Sequence, residues 1–245
     1  MTLHDDNPRP PCPRCHSTYI LKNGSTHHKK QKYLCKNCHY QFIDSPSKKY
    51  ITPSETQLIH SCLLERISLA GISRITNISL TSVHRIVKSF LRQVPCHIEA
   101  QDTSDGDFNL ECDELWSFVK SKLNPVWIWV ALERSSRKIV GLHFGSRGRD
   151  STQAFWDSLP SEIRDCATVY TDLWKSYIGV IPEEAHQRSR KGSGQTSLVE
   201  RFNNTIRQRC SRLVRGSLSI SRRWFNHERL IWHFVHNYNA SLDSA

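Results

Sequence analysis

Acidic residues are scarce in this chain, long apolar runs are absent, and no tryptophan occurs before Trp116. The longest wholly apolar stretch is VWIWVAL, 126–132, far below the roughly 20 residues that a membrane-spanning helix needs. The opening residues, MTLHDDNPRP, are polar and acidic, so neither a signal peptide nor a transit peptide is expected. All seven tryptophans lie in the later part of the chain, which predicts the large core there and leaves the first half to be held together by other means. No internal repeat is visible. With 34 Lys and Arg against 23 Asp and Glu, the net charge is +11. Such a balance favours a polyanionic partner, nucleic acid before an anionic membrane. The imbalance is sharpest between Arg188 and Arg223, where ten basic residues accompany one acid, Glu200.

Nine cysteines in a cytosolic chain are not read as a disulfide framework. Four form two pairs, CPRC (Cys12, Cys15) and CKNC (Cys35, Cys38), with 19 residues between them. Two such turns offer four thiolates to one tetrahedral zinc ion, and a closed four-sulfur site is structural because no position stays open for substrate. Metal binding would also fold a segment that has almost no aliphatic core. Asn23-Gly24 is the expected reversal between the turns. His16, His27, His28 and His39 read as surface or phosphate-contacting groups, and the single cysteines Cys62, Cys96, Cys112, Cys166 and Cys210 as small buried hydrophobes.

From Thr52 onward the pattern becomes helical. Ser54 and Gln57 match a capping box, SLAGISRITN reads as a second short helix, and Ser79 is placed to cap a third, LTSVHRIVKSFLRQV. In the third, Val83, Ile86, Val87, Phe90, Leu91 and Val94 share one face, while Arg85, Lys88 and Arg92 fall nearly opposite. This pattern fits a helix-turn-helix that presents Thr81, Ser82, His84 and Arg85 to a DNA major groove, in preference to an ordinary three-helix unit with a solvated basic stripe, against which the adjacent cysteine hairpin and the overall charge weigh. AQDTSDGD, 100–107, reads as a linker. Strands are then expected at 110–119, 126–133, 138–145 and 167–172, with a fifth near 184–188. Helices are expected at 151–159, 197–214 and 218–239, with KGSGQT as a flexible loop. On the last of these, His233 and His236 stand near Trp232 and Tyr238, which suits packing better than chemistry.

Three acids stand out. Asp113 lies inside an otherwise apolar strand, where an unpaired charge is costly. Asp172 ends the strand ATVYTD, and Glu200 sits in the first turn of a basic helix. Along that helix Val199, Phe202, Ile206, Cys210 and Leu213 form one stripe, and Glu200, Asn203, Asn204, Arg207 and Ser211 another about 120° away. Arg207, two turns after Glu200, is placed to reach along DNA while the glutamate points at metal. Two-metal phosphodiester chemistry needs hard oxygen ligands converging on ions roughly 3.5–4 Å apart. Each acid also has an ordinary reading: Glu200 as a helix N-terminal charge, Asp172 as a cap, Asp113 as half of a buried ion pair. Strand alternation puts Glu111 on the face of Asp113 and Glu114 on the other, so Glu114 reads as structural.

The order CPRC, CKNC, helical segment, CDELWSFV, YTDLWKSY, LVERFNNTIRQR resembles the transposases of the insertion sequence 1 family over nearly the whole chain. The resemblance implies an α/β fold: a ribonuclease H-like mixed sheet with flanking helices, preceded by a zinc-ribbon hairpin and a helix-turn-helix domain. The implied limits are 1–48, 52–96, a linker at 97–108, and a DDE catalytic domain at 109–245. It implies that Asp113, Asp172 and Glu200 hold two Mg²⁺ or Mn²⁺, that one Zn²⁺ is structural, and that Arg207 is the basic residue following the glutamate. The implied activity is cleavage and strand transfer at terminal inverted repeats, by a homodimer or higher assembly on double-stranded DNA in a prokaryotic, nucleoid-associated setting. Arg147, Arg149, Lys191 and Asn203 are further candidate DNA contacts, alongside Lys88 and Arg92. Members of the family are often encoded in two overlapping frames, and this continuous chain departs from that. A DNA-binding regulator with an inactive core and a structure-specific nuclease are the alternatives.

Overall fold

The computed structural model describes residues 9–27, 29–44, 51–98, 108–190, 192–213 and 221–244. The chain divides into two compact units, Met1–Ile51 and Thr52–Ala245.

The first unit is a three-stranded antiparallel sheet of β1 (Ile20–Ser25), β2 (Gln31–Cys35) and β3 (Gln41–Ile43). The expected reversal at Asn23-Gly24 is not the turn. The chain turns at 26–30, closed by the Lys30 carbonyl accepting from the Thr26 N–H and the Thr26 carbonyl from the Lys29 N–H. Asn23 and Gly24 instead form a bulge within β1, where the register slips between Lys22 and Ser25. Gly24 takes φ +69° there, a conformation that glycine adopts without steric cost. Among the described residues, the buried centre of this unit is Cys12, Ile20 and Cys35, with Tyr33, Cys38 and Phe42 packed against them.

The second unit opens with three helices, α1 (Pro53–Leu63), α2 (Leu69–Thr76) and α3 (Leu80–Leu91). The cap of α1 falls two residues before the expected one: Thr52 is the N-cap and Glu55 completes the capping box. Both pairs in TPSETQ satisfy the pattern. Pro53 decides between them, because proline suits the first helical position, where its missing N–H costs nothing. Ser68 and Ser79 cap α2 and α3. Asn77, left-handed at φ 53°, ends α2 and leaves only residues 77–79 between the two helices. Ile59, Leu63, Ile72, Val83, Val87 and Leu91 are buried between them.

The rest is a five-stranded sheet of β4 (Phe108–Phe118), β5 (Pro125–Glu133), β6 (Ile139–Gly145), β7 (Ala167–Thr171) and β8 (His186–Arg188), in the order β6-β5-β4-β7-β8. β5 runs antiparallel to both neighbours, whereas β4, β7 and β8 are parallel. One face buries Leu110, Cys112 and Trp129 against Phe155 and Trp156 of α4 (Arg149–Asp157) and Ile163 of the short α5 (Ser161–Arg164). On the other side lie α6 (Ser197–Arg209) and α7 (Trp224–Leu242), which bury Val199, Phe202, Ile206, Ile231 and Val235.

α6 and α7 are shorter than expected. α6 stops at Arg209, and Cys210 is extended. α7 begins at Trp224 rather than 218 because Ser221 is used otherwise: its carbonyl accepts from the Lys120 N–H, and its hydroxyl meets Nδ1 of the fully buried His227 at 3.1 Å. Residues 214–220 and most of the expected linker lie outside the described residues. Cys166 is exposed and Cys96 half-buried, unlike the buried Cys62, Cys112 and Cys210. His233 stacks edge-on against Phe90 at 4.7 Å, and His236 lies on Trp232 at 5.7 Å, so both are packing groups.

Candidate functional site

Asp113 stands near the middle of β4, opposite Val130 of β5. In the parallel pairing of β4 with β7, Glu111 faces Tyr170. Two residues further along each chain come Asp113, in mid-strand, and Asp172, just past the end of β7, so the register brings the two aspartates close enough for the charge of one to act on the other. Asp172 turns one carboxylate oxygen onto the backbone N–H of Trp174 at 2.8 Å. Asp113 accepts from the carboxamide Nδ2 of Asn203, on α6, at 2.8 Å. Burial, then the neighbouring charges of Glu114 and Asp172, push the Asp113 carboxyl up to about 6, against the stabilising hydrogen bonds from the Glu114 N–H and Asn203.

Glu200 lies three residues before Asn203, in the first turn of α6. Its Oε1 accepts from the Thr196 hydroxyl at 3.1 Å, so the carboxylate is folded back towards its own helix start. That start is pinned to the sheet by Glu111, whose Oε2 accepts from the N–H groups of Leu198 (2.8 Å) and Val199 (3.0 Å). An acid at this position satisfies two N–H groups that have no partner within the helix and complements the positive end of its dipole. The other oxygen of Glu111 accepts from Arg134 at 3.0 Å, and Arg134 lies 3.5 Å from the centre of the Tyr170 ring. Sequence reasoning placed Glu111 on the correct face and gave it no role. An acid two residues from Asp113 in an apolar strand was the available signal.

On the opposite face, Glu114 is paired with Arg147 (2.6 Å) and accepts from the Tyr177 hydroxyl (3.2 Å). Burial raises its carboxyl, and Arg147 opposes that. The Arg147 guanidinium sits between the Trp127 and Trp174 rings, at 4.4 and 3.9 Å, and the Trp174 indole N–H donates to the Arg147 carbonyl. This knot ties the loop holding Asp172 to the strand holding Asp113. Arg149 likewise spends its guanidinium on the carbonyls of Ile178 and Gly179.

Among the described residues, the four cysteines Cys12, Cys15, Cys35 and Cys38 are the set of metal-binding side chains that meet, with all ligand atoms within 4.8 Å of one another. Their Sγ atoms approach to 3.6 Å (Cys12 to Cys38) and 3.5 Å (Cys15 to Cys35). Zinc–sulfur bonds of about 2.3 Å in a tetrahedron place sulfurs roughly 3.8 Å apart, so the cluster fits a structural zinc ion. The two turns are built alike: the Cys12 N–H donates to the Ser17 carbonyl, and the Cys35 N–H to the Tyr40 carbonyl, both at 2.9 Å. His16 and His39, each following the second cysteine of its turn, are left-handed at φ 58° and 55° and exposed. Burial opposes ionisation of Cys35, but the N–H groups of Cys38 and Asn37 bring it down to about 6, while Cys15, despite a hydrogen bond from the Ser17 N–H, is pushed up to about 12 by the neighbouring thiols.

The model of the IS1 transposase family matches residues 108–240 of this chain. The InsB protein of insertion element iso-IS1n from Shigella dysenteriae is 32% identical over 129 residues, covering 52% of this chain and 94% of that protein. The InsB protein of insertion element IS1 4 from Escherichia coli K12 is 31% identical over 137 residues, 55% of this chain and 78% of its own. The chain belongs to the IS1 transposase family.

In this IS1 family member the matched segment runs from β4 into α7 and contains Asp113, Asp172 and Glu200. The three carboxylates do not meet as closely as the cysteines do. A two-ion site does not require that, because one ligand can be shared while the others each serve one ion. On α3, Thr81, His84, Arg85 and Lys88 are exposed, as is Arg92 at its C-cap, while Ser82 is half-buried and takes part in the Ser79 cap. Asn203 is 3% exposed and bound to Asp113, not turned to solvent as a DNA contact would require. Arg207 is half-buried on α6, and Lys191 and His28 lie outside the described residues.

Proposed function

We propose that this chain is the transposase of an insertion sequence, a DDE enzyme that binds terminal inverted repeats and performs metal-dependent strand cleavage and strand transfer. The observation that supports this reading best is the register of β4 and β7, whose pairing of Glu111 with Tyr170 leads two residues on to Asp113 and Asp172, together with the carboxylate of Glu200 in the first turn of α6. The strand order β6-β5-β4-β7-β8, with β5 alone reversed, supports a ribonuclease H-like core. In this reading Asp113, Asp172 and Glu200 hold divalent ions, Mg²⁺ or Mn²⁺. When bound, the ions supply Lewis-acid stabilisation to the attacking and leaving oxygens of the phosphodiester. Glu111 holds the start of α6 over the site, and the Glu114–Arg147 pair holds the Asp172 loop. Arg207 follows the DNA backbone from the same helix.

α2, the short link 77–79 and α3 act as a helix-turn-helix, with Thr81, His84 and Arg85 facing bases and Lys88 and Arg92 facing phosphates. The zinc hairpin adds a second DNA contact. Two ends must be held together during joining, so the working form is a homodimer or larger assembly on DNA.

The test is Asp113→Asn, assayed for binding to the element's ends and for Mg²⁺-dependent joining. Binding within about twofold of wild type with joining reduced at least ~10³-fold is expected, the scale of losing a principal electrostatic group in a catalytic site. Unchanged joining would remove Asp113 from the site. Cleavage by the wild type without any joined product would favour a structure-specific nuclease of the same fold.

A further inference from the structure

Asn203 has a position that a DNA contact does not explain. It is 3% exposed, its Nδ2 donates to Asp113, and its Oδ1 is buried with no hydrogen-bond partner among the described residues. A buried acceptor left without a partner bears its full desolvation penalty, so a structure that keeps one next to a group of acids invites a functional reason. The oxygen and nitrogen of a carboxamide share one carbon. The unpartnered oxygen therefore lies at most one carboxamide's width beyond the atom that grips the Asp113 carboxylate.

We infer that Asn203 is a member of the divalent-cation site at Asp113: its N–H orients the aspartate, and its buried oxygen is a neutral donor to the cation or to one of the cation's waters. The inference rests on the proposed carboxylate site and adds a residue to it. An amide suits the position better than a fourth acid. Asp113 is already crowded by the charges of Glu114 and Asp172, and another carboxylate would add repulsion whenever the cation leaves. Asparagine offers a hard oxygen of the kind Mg²⁺ and Mn²⁺ accept, without charge. Its backbone lies one helical turn from Glu200, so a single helix supplies both groups.

The probe is Mn²⁺ binding to the full-length, zinc-loaded chain, followed by electron paramagnetic resonance of free Mn²⁺. Asn203→Leu keeps the approximate volume and removes both polar atoms. It is expected to weaken Mn²⁺ binding roughly ten- to a hundredfold, the range for loss of a group supporting a metal site. Asn203→Asp restores an oxygen and is expected to recover affinity to within a few fold of wild type. Zinc content and the thermal midpoint without Mn²⁺ report folding, and if the leucine variant fails that check, the aspartate variant decides. A folded leucine variant that binds Mn²⁺ like wild type, or a folded aspartate variant that loses Mn²⁺ binding, overturns the inference. Asp113→Asn is measured in parallel. If it leaves Mn²⁺ affinity unchanged, the carboxylate site itself is refuted and the role of Asn203 with it. If it weakens binding while Asn203→Leu does not, only the role of Asn203 fails.

Discussion

Asp113 is an aspartate set into a sheet beside two other acids, and its carboxyl is raised from 3.8 to about 6. A carboxyl raised on folding stabilises the fold below its unfolded value, and that contribution is lost as pH climbs through the folded value. Without a divalent ion, the chain is therefore expected to lose stability between about pH 4 and pH 6, by on the order of 2–3 kcal/mol if this carboxyl alone titrates there. Asp113→Asn cannot ionise. Urea denaturation of the Mg²⁺-free, zinc-loaded protein should find the variant more stable than wild type at pH 8 and no more stable at pH 4. The raised carboxyl also makes Mn²⁺ affinity fall as pH drops through about 6, because protons then compete with the ion for this oxygen. A pH-independent difference between the two proteins would contradict the assignment of the raised carboxyl. The sequence made Asp113 legible as a costly charge in an apolar strand, and the family resemblance grouped it with Asp172, 59 residues away, but its donor Asn203, 90 residues away, was not legible.

At the scale of elements, the four-cysteine hairpin and α6 make a useful contrast. Among the described residues the hairpin has three buried residues at its centre, two of them cysteines of the cluster, so a zinc ion held there would supply most of what holds the hairpin, and its removal would take that away. Chelation is expected to abolish the ordered structure of 9–44 while the β-sheet of the second unit persists. Limited proteolysis of the full chain, followed by mass mapping, reads this directly. Cleavage confined to the hairpin is expected, and an unchanged digest would refute a structural zinc ion. The paired cysteine spacing announced this element because metal ligation is local in sequence. The turn was misread because Asn-Gly serves a reversal and a bulge through the same left-handed backbone. α6 is different in kind. Its buried stripe was readable from its 3.6-residue period, yet its start is set by Glu111, which comes from another strand. Its end and the late beginning of α7 are likewise decided by contacts such as that of Ser221 with Lys120 and His227, which no local pattern encodes.

For the whole molecule, the net charge of +11 is the dominant electrostatic fact. Binding to DNA ends should weaken steeply with salt, since each neutralised phosphate releases a counterion, and six to ten contacts would cost ~10³–10⁵-fold in affinity between about 50 and 200 mM salt. Lys88→Gln and Arg92→Gln, on the exposed side of α3, are each expected to reduce the logarithmic salt slope by about 1 without changing base preference. Fluorescence anisotropy with the element's own ends across a salt series measures both quantities. Slopes that match wild type would withdraw those two residues from the DNA interface. Arg147 and Arg149 carry the opposite expectation. Their guanidinium groups hold Glu114 and two backbone carbonyls, so basic character in the sequence overstated what they offer to DNA.

The sequence by itself determined the chemistry on offer: four cysteines in zinc spacing, a basic chain, three acids in otherwise apolar or basic surroundings, and motifs ordered as in the IS1 transposases. It also determined element types, because hydrophobic period is a local property. Only the tertiary structure decided which groups each acid meets. A parallel register brings Asp113 to Asp172, Glu111 goes to the helix cap, Glu114 to Arg147, and Asn203 is turned inward to Asp113. Such pairings depend on which strands lie side by side and on which face each residue points to. Both are set by packing between segments far apart in the chain, and a residue's type does not record its partner.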